Sequence, residues 1–391
     1  MYQALYRKWR PKVFSDVIGQ EHITETLKKQ VAEGRTSHAY LFTGTRGTGK
    51  TTCAKILAKA VNCEHPVNGD PCCQCPSCLG LESGSFLDVL ELDAASNNGV
   101  DQVRALRDEA IYAPANVKKR VYIVDEVHML STAAFNALLK ILEEPPAHLM
   151  FILATTELHK VPATILSRCQ RYSFKRILPK DIAQRLTYVA GQEHIDLTAD
   201  GAELLSRLAD GALRDGLSLL DQCAAAGGTV DSRAVLEVLG LAGNLQTAQL
   251  MRHILDRNAQ AALLLLNELY AGGKDVGAVL GELSTLTRDL LLRKTAPEGG
   301  AALLSGGFDS ATLDQLGKDV PSNRFLYLAS TLQKAAADLY YSADRRTDAE
   351  LCLLRLCDES LCGDLTALEN RITRLEDAAA RGAAISAAVN Q

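Results

Sequence analysis

Aromatic residues are scarce in this sequence, and positive charge is not in excess. Aromatic side chains make up 5% of the 391 residues, and only one of them is tryptophan. Lysine and arginine number 42 against 47 aspartates and glutamates, a formal net charge of −5. A protein that coats nucleic acid through bulk charge is strongly basic, so any DNA contact must come from a local patch or from partner subunits.

Long apolar runs are also missing. The longest lies around residues 261–266, far short of the roughly 20 residues that cross a bilayer. The first twelve residues carry Arg7, Lys8, Arg10 and Lys12 but no apolar segment of the secretory kind. Both absences predict a cytoplasmic protein without membrane contact. Hydrophobic residues at 47% and charged residues at 23% are typical of a globular chain, long enough here for two or three domains.

The eleven cysteines do not suggest a disulfide framework, because their number is odd and their spacing uneven. Four follow the spacing Cys63-x8-Cys72-x2-Cys75-x2-Cys78, which suits a tetrahedral, structural Zn²⁺ site with no open position. A redox pair or free thiols are the alternatives. Cys73 is a surplus member inside the cluster. The other six, predicted to be small buried apolar side chains, are Cys53, Cys169, Cys223, Cys352, Cys357 and Cys362.

A phosphate-loop pattern, G-x-x-x-x-G-K-[ST], is matched in full by Gly44-Thr45-Arg46-Gly47-Thr48-Gly49-Lys50-Thr51. Glycines let backbone N–H groups approach phosphate oxygens, the lysine reaches the β- and γ-phosphates, and the Thr51 hydroxyl is placed to hold Mg²⁺. A strand is predicted over 38–42, and an amphipathic helix after the loop turns its positive end toward the phosphates. A chance glycine-rich turn is the alternative. With Thr52, these residues form the predicted nucleotide-binding segment.

A second motif is the apolar strand 121–124, followed by Asp125 and Glu126. Ligands bind at the carboxyl ends of buried parallel strands. Asp125 is therefore predicted to hold Mg²⁺ directly or through water, and Glu126 to orient the attacking water. An acidic strand end that only caps the next helix is the alternative. The strand 150–154 ends in Thr155-Thr156, where a hydroxyl is placed to bond the γ-phosphate or the water.

Several arginines have two possible roles each, between which the sequence does not decide. Arg168, in Ser167-Arg168-Cys169, either forms a surface ion pair or reaches the nucleotide of a neighbouring subunit. Arg214 begins a helix and either swings over the nucleotide or pairs with Asp215. Arg104 and Arg107 lie on one face of the predicted helix 100–110. This face is either exposed to solvent or in contact with phosphate groups.

The order of elements predicts an α/β domain with a parallel sheet, followed by helices alone. We expect the nucleotide-binding domain at 1–178 with the cysteine insertion at 63–78, and a small helical domain at 179–241. An all-helical domain follows at 244–363, and a helical or disordered tail at 364–391. Glycines suggest a linker at 240–243. Near the end a short heptad pattern is too brief to predict a coiled coil.

With these motifs in view, residues 1–365 resemble the gamma/tau family of bacterial DNA polymerase III, the clamp-loader AAA+ ATPases. The matching segments are 4–11, 38–51, 125–130, 136–146, 153–156 and 165–169, together with the four-cysteine insertion. Cys73 is an extra cysteine that departs from the family pattern. The resemblance therefore leaves open a second set of zinc ligands, shifted by one position to include Cys73. The long C-terminal extension of the tau form is absent from this sequence, which resembles either the shorter gamma form or a shortened version of a longer chain.

The resemblance implies roles that spacing did not give. It implies an AAA+ domain, a helical lid and a collar. Thr156, with Thr155 as an alternative, resembles sensor 1; Arg168 resembles the trans-acting arginine finger; Arg214 resembles sensor 2. The cofactors implied are ATP, Mg²⁺ and structural Zn²⁺. The implied partners are the other subunits of a hetero-pentameric ring, the sliding clamp, primed DNA and the polymerase III core, with nucleoid association during replication.

The function implied is an ATPase that loads the sliding clamp onto primed DNA, as part of a polymerase holoenzyme but without a polymerase active site in this chain. One alternative is a catalytically weak nucleotide-binding scaffold, which would be expected to lose Lys50 or the Asp125-Glu126 pair. Another alternative is a different AAA+ DNA motor, such as a branch-migration helicase. The cysteine cluster and the helical third domain are evidence against it.

Overall fold

The computed structural model describes residues 3–239, 244–296, 300–305, 307–308, 310–318 and 320–358, with five single positions beyond them. The chain divides into two compact units, Met1–Ala234 and Val235–Gln391. The predicted linker 240–243 and most of the predicted tail 364–391 lie outside the described residues. Three positions of the heptad pattern, Leu368, Ile372 and Leu375, are described, and their side chains are exposed. No helix of the described part is both long and apolar enough to cross a membrane.

The first unit is built on a five-stranded sheet in the order β2-β3-β4-β1-β5, with every neighbouring pair parallel. The predicted α/β class with a parallel sheet is therefore confirmed. The strands are β1 Ala39–Thr43, β2 Val89–Asp93, β3 Arg120–Asp125, β4 Leu149–Thr155 and β5 Gln170–Ser173.

Helices cover both faces of the sheet. Alternate side chains of a strand point to opposite faces, so Ala39 and Leu41 join one core while Tyr40 and Phe42 join the other. The helices are α1 Leu5–Lys8, α2 Glu21–Ala32, α3 Lys50–Asn62, α4 Pro76–Ser83, α5 Val100–Ala110, α6 Thr132–Glu143 and α7 Ala163–Leu166. Short 3₁₀ turns lie at Phe14–Asp16, Val127–Met129 and Leu158–Lys160. Because β3 and β1 both run parallel to β4, the carboxyl ends of these three strands lie at one edge of the sheet.

Two predicted strands have different ends in the structure. Alternating apolar residues predict a strand over 86–92, but β2 begins at Val89, because its partner in β3, Val121, is the first residue of that ladder. A strand is also predicted over 171–175, but β5 ends at Ser173, because the backbone N–H and carbonyl of Lys175 bond the side chain of Gln20 instead.

Four helices follow the sheet: α8 Pro179–Gln192, α9 Ala199–Leu208, α10 Leu213–Ala225 and α11 Ser232–Val238. Thr198 caps α9 through its hydroxyl, and apolar side chains such as Ile182, Leu186 and Leu205 are buried. The division between the two units falls inside α11.

The described part of the second unit is helical around its own apolar core, as expected from its sequence. Its helices are α12 Asn244–Leu255, α13 Ala259–Ala271, α14 Val276–Thr295, α15 Ser310–Gly317, α16 Ser322–Leu339 and α17 Arg345–Cys357, with a 3₁₀ turn at Gly300–Leu303. Sequence reasoning missed α15, which follows a glycine-rich stretch. It also placed α17 four residues too late, because the carboxylate of Asp344 caps Thr347 and begins the helix earlier.

Candidate active site

The phosphate loop joins β1 to α3 and depends on glycine. Gly44, Gly47 and Gly49 have φ of +141°, +78° and +105°, where other residues are strained. A Cβ on Gly47 would lie 2.6 Å from the Ala212 Cβ, and one on Gly44 would lie 2.4 Å from the Phe174 carbonyl oxygen. The loop is thus close-packed on both sides, and its backbone leads into the N-terminus of α3.

Lys50 is buried at the start of α3, 6% exposed. Its Nζ donates hydrogen bonds of 2.8 Å to the carbonyl oxygens of Gly44 and Thr45. Burial lowers the pKa of Lys50, and the carboxylates of Glu126 and Asp125 oppose that shift. The ammonium group is therefore held inside the loop, among the groups that the sequence predicts to bind phosphate.

Thr51 and Asp125 meet across the site. The Thr51 hydroxyl donates a 2.7 Å hydrogen bond to Asp125 Oδ2, and the Glu126 backbone N–H donates to Asp125 Oδ1 at 3.0 Å. Oxygen ligands from a hydroxyl and a carboxylate are what Mg²⁺ prefers. The donor set fits the predicted magnesium site.

Glu126 is held by the end of β4. Its φ of +46° puts the residue in the left-handed region. Its Oε2 accepts hydrogen bonds from the Thr156 backbone N–H at 3.2 Å and the Thr156 hydroxyl at 2.9 Å. Of the two threonines that the sequence left open, Thr156 is the one that touches Glu126, while the Thr155 hydroxyl accepts from the Glu157 N–H.

His128 is a site residue that sequence reasoning missed. Its Nδ1 lies 3.0 Å from the Thr155 hydroxyl and 3.4 Å from Glu126 Oε2, and its Nε2 lies 3.3 Å from Glu157 Oε1. The signal was a histidine two residues after the acidic pair, within the turn that follows β3.

A cleft of about 800 Å³ opens over these groups. Residues 46–52, Asp125 and Glu126 line it. Gly44 and Thr45 do not line it, but their carbonyl oxygens accept hydrogen bonds from Lys50, which does. The helix α10 contributes Arg214, whose guanidinium lies 4.8 Å from the ring centre of Tyr6. Within residues 3–239, Arg214 forms no ion pair with Asp215, the other partner that the sequence suggests for it.

The opposite wall comes from residues 5–20, which we call the N-terminal arm. Pro11, Val17 and Ile18 line the cleft. Arg10 also lines it, and its Nε donates to the Thr52 hydroxyl at 3.1 Å. Burial is the main cause that lowers the pKa of Arg10. The sequence of residues 13–20 is compatible with either a packing arm or a segment that passes over the adenine, and it gives no role to Arg10.

Arg168 is not part of this cleft. Its Nη2 lies 2.7 Å from Glu143 Oε1, and its Nη1 donates to the Thr164 carbonyl at 2.8 Å. Both side chains are partly exposed at 33% and 50%. Arg104 and Arg107 are exposed on α5, where they pair with Asp101 and Asp108.

The four predicted cysteines come together. The sulfurs of Cys63, Cys72, Cys75 and Cys78 all lie within 4.8 Å of one another, with Cys72 and Cys78 at 4.0 Å. Backbone N–H groups, first that of Gln74, lower the pKa of Cys72 to about 6, whereas burial raises the pKa of Cys63 and of Cys78. The compact arrangement of the four sulfurs fits a tetrahedral metal site.

Cys73 does not join them. Its Sγ lies 3.8 Å from the Lys12 carbonyl oxygen, and its φ of +56° turns it away from the cluster. Of the cysteines predicted to be buried, Cys53, Cys223, Cys352 and Cys357 are buried and Cys169 is half-buried. Cys362 lies outside the described residues.

Three family models match successive parts of the sequence. Residues 19–177 match the model described as DNA polymerase III, delta subunit. Residues 181–229 match the DNA polymerase III clamp loader subunit, ATPase lid domain, and residues 230–371 match DNA polymerase III subunits gamma and tau domain III.

Curated relatives extend over most of the chain. The DNA polymerase III subunit tau of Bacillus subtilis is 43% identical over 98% of this chain and 70% of its own length. The subunit tau of Escherichia coli is 42% identical over 90% of this chain and 55% of its own length. The subunit gamma of Buchnera aphidicola is 41% identical over 72% of this chain and 78% of its own length. The chain thus spans between about half and four fifths of these relatives. Among solved structures, the RuvB Holliday junction branch migration motor of Thermotoga maritima aligns at 17% identity with a TM-score of 0.46, over 68% of this chain and 86% of that one.

Proposed function

The chain belongs to the gamma/tau family of DNA polymerase III subunits, and from this membership we propose that it is the ATP-hydrolysing motor subunit of a clamp loader. Its task would be to place a sliding clamp on primed DNA during replication. The observation that carries the proposal is the meeting of Thr51 on α3, Asp125 and Glu126 at the end of β3, and Thr156 after β4. A family of AAA+ ATPases implies ATP and Mg²⁺, and the residues present suit both.

Each residue has a proposed role in hydrolysis. Backbone N–H groups of residues 46–51 and the Lys50 ammonium would bind the phosphates. Thr51 and Asp125 would hold Mg²⁺, which supplies charge neutralisation on the phosphate oxygens. Glu126 would orient the attacking water, and Thr156 would keep that carboxylate in position. Little covalent chemistry falls to the protein, so positioning and electrostatics supply the rate.

Arg168 completes the site of a neighbour in this proposal. It lies on the segment after α7 and does not line the cleft of its own chain. We propose that it acts as the arginine finger of the next subunit, and that Arg214 contacts the nucleotide of its own chain from α10. The site would therefore be complete only in an assembly.

The remaining assignments follow the same family premise. The cysteines at 63, 72, 75 and 78 would hold one structural Zn²⁺. The helical second unit would serve as the collar of a hetero-pentameric ring, after a lid at 179–241. The other loader subunits, the clamp, primed DNA and the polymerase III core are the proposed partners.

ATP turnover of the complex assembled with its partner subunits tests the proposal. Turnover is measured with and without purified clamp and primed DNA, and the Glu126→Gln complex is the control. We expect stimulation by the two together and none in the variant. Equal rates in the presence and absence of clamp and DNA would contradict the motor assignment and favour a nucleotide-binding scaffold.

A further inference from the structure

The cysteine module, residues 63–83, reaches the N-terminal arm through a tight turn at its tip. Val67 and Asp70 exchange two backbone hydrogen bonds of 2.9 Å, with Asn68 and Gly69 at φ of +51° and +84° between them. Asn-Gly at these angles is the preferred pair for such a turn. A Cβ on Gly69 would lie 2.1 Å from the Lys28 carbonyl oxygen, so the turn sits directly against α2.

The turn presents the Asp70 carboxylate to the arm. Oδ1 accepts a 2.6 Å hydrogen bond from the Phe14 backbone N–H, and Oδ2 accepts a 2.5 Å hydrogen bond from the Ser15 hydroxyl. Lys28 Nζ lies 3.4 Å from Oδ2. Phe14 begins a 3₁₀ turn, so Asp70 caps that turn from a distant part of the chain, as an N-cap carboxylate does.

A second contact of the module lies two residues earlier in the arm. Lys12 Nζ forms a 2.7 Å ion pair with Glu82 Oε1, and the Lys12 carbonyl oxygen lies 3.8 Å from Cys73 Sγ. The module therefore contacts the arm at 12, 14 and 15. These residues stand between Pro11 on one side and Val17 and Ile18 on the other, all three of which line the cleft.

The far end of the arm is fixed to the phosphate-loop side. Gln20 is fully buried; its side-chain N–H donates to the Lys175 carbonyl oxygen at 2.7 Å, and its Oε1 accepts from the Lys175 backbone N–H at 3.1 Å. The Phe14 side chain is 1% exposed in the core of the sheet. Between Lys12 and Ser15, the arm makes its polar side-chain contacts with Asp70 and Glu82, so this part of the cleft wall rests on the cysteine module.

We propose that the cysteine module braces the nucleotide cleft, with Asp70 as a positioning residue that acts through the arm, and that metal occupancy of the module is coupled to nucleotide affinity. This inference rests on the proposed nucleotide binding in the cleft. A coupling between two binding events is reciprocal. Bound nucleotide must therefore raise the affinity for the metal by the same factor as bound metal raises the affinity for the nucleotide.

The test uses the full chain and four proteins: wild type, Asp70→Ala, Ser15→Ala and Glu64→Ala. Glu64 is the matched control, because its carboxylate bonds only Ser77 inside the module among the described residues, at 2.8 and 3.3 Å. Affinity for a fluorescent ATP analogue with Mg²⁺ is measured by titration, and bound zinc by metal analysis. We expect Asp70→Ala to weaken nucleotide binding about five- to tenfold, Ser15→Ala to weaken it less, and all variants to keep their zinc.

Wild-type affinity in Asp70→Ala would overturn the inference, as would an equal loss in Glu64→Ala, which would indicate general loosening of the module. If Asp70→Ala does not fold, the reciprocal measurement on wild type decides. Saturating nucleotide should slow the release of zinc to a chelator several-fold, and an unchanged release rate contradicts the coupling. A wild-type chain that binds no nucleotide would instead refute the proposed function.

Discussion

The hydroxyl of Thr51 donates a 2.7 Å hydrogen bond to Oδ2 of Asp125, although the two residues are 74 positions apart. The contact exists because α3 begins where β1 ends and β3 ends at the same edge of the sheet. One fold feature therefore brings the end of the phosphate loop to the acidic strand end. The predictions below perturb the groups placed around that contact.

Lys50→Ala should abolish measurable ATP binding. Its ammonium is buried among loop carbonyls, and charge-assisted hydrogen bonds are worth about 1.5–3 kcal/mol each, so losing the contacts to phosphate lowers affinity on the order of 100-fold or more. Titration with a fluorescent ATP analogue measures the loss. Lys55→Ala is the matched control on the same helix, since Lys55 pairs with Glu91 in a partly exposed position and should bind as wild type does. Retained binding in Lys50→Ala would refute the phosphate-loop assignment.

Glu126→Gln should separate binding from hydrolysis. The amide keeps the size of the side chain but is a poor base and a poor orienting group for water, so affinity should change less than threefold while turnover falls about 10²-fold or more. Thr156→Val should give a smaller fall, because it removes the 2.9 Å hydrogen bond that holds the carboxylate. Single-turnover hydrolysis in the assembled complex is the measurement. Turnover in Thr156→Val below that of Glu126→Gln would reverse the roles assigned to the two residues.

The sequence predicted the motifs better than the contacts between them. Loop glycines, buried strand runs and cysteine spacing are local patterns, and the elements they predicted are present within a few residues. The pairing of Thr156 with Glu126, and of Arg168 with Glu143, depends on side chains from different elements, which no local pattern contains.

Contacts of the N-terminal arm were also beyond prediction. Asp70 reads as an ordinary turn residue, and only the fold brings it to Phe14 and Ser15. The errors at strand ends have the same origin, since strand length is set by the partner strand and by Gln20 rather than by the apolar run itself.

Cys63→Ser should lower bound zinc well below one equivalent per chain and destabilise the first unit. A structural zinc site contributes its binding free energy to folding, so the melting temperature should fall with the metal. Metal analysis after a chelator wash and a thermal melt measure both effects. Cys73→Ser is the matched control, because its sulfur lies apart from the four-cysteine cluster. Loss of zinc in Cys73→Ser would shift the ligand set by one position.

Arg324→Met should destabilise the second unit. The side chain is 5% exposed, and its Nη2 donates to the carbonyl oxygens of Ile254 and Leu356, near the ends of α12 and α17. The Ile254 carbonyl oxygen still accepts from the Arg257 N–H, but the Leu356 carbonyl oxygen loses its arginine donor, which costs about 1–3 kcal/mol in the free energy of unfolding. Denaturant unfolding followed by circular dichroism is the measurement. Arg346→Met, at a partly exposed arginine on α17, should leave the unfolding midpoint nearly unchanged. Equal midpoints for both variants would contradict the buried role of Arg324.

Arg168→Ala should spare nucleotide binding and reduce turnover in the assembled complex. The arginine lies outside its own cleft, so the affinity of its own chain for ATP does not depend on it. An arginine finger supplied by a neighbour is worth roughly 10³–10⁵ in rate, and clamp- and DNA-stimulated ATP turnover measures that loss.

Glu143→Ala tests whether the ion pair within the chain restrains the finger. The pair joins two partly exposed side chains at 2.7 Å, and exposed pairs of this kind are weak. Releasing Arg168 should therefore change turnover less than tenfold, in contrast to the loss in Arg168→Ala. Full stimulated turnover in Arg168→Ala would remove the finger assignment. A loss in Glu143→Ala as large as that in Arg168→Ala would show instead that the carboxylate sets the position from which the arginine reaches the neighbouring site.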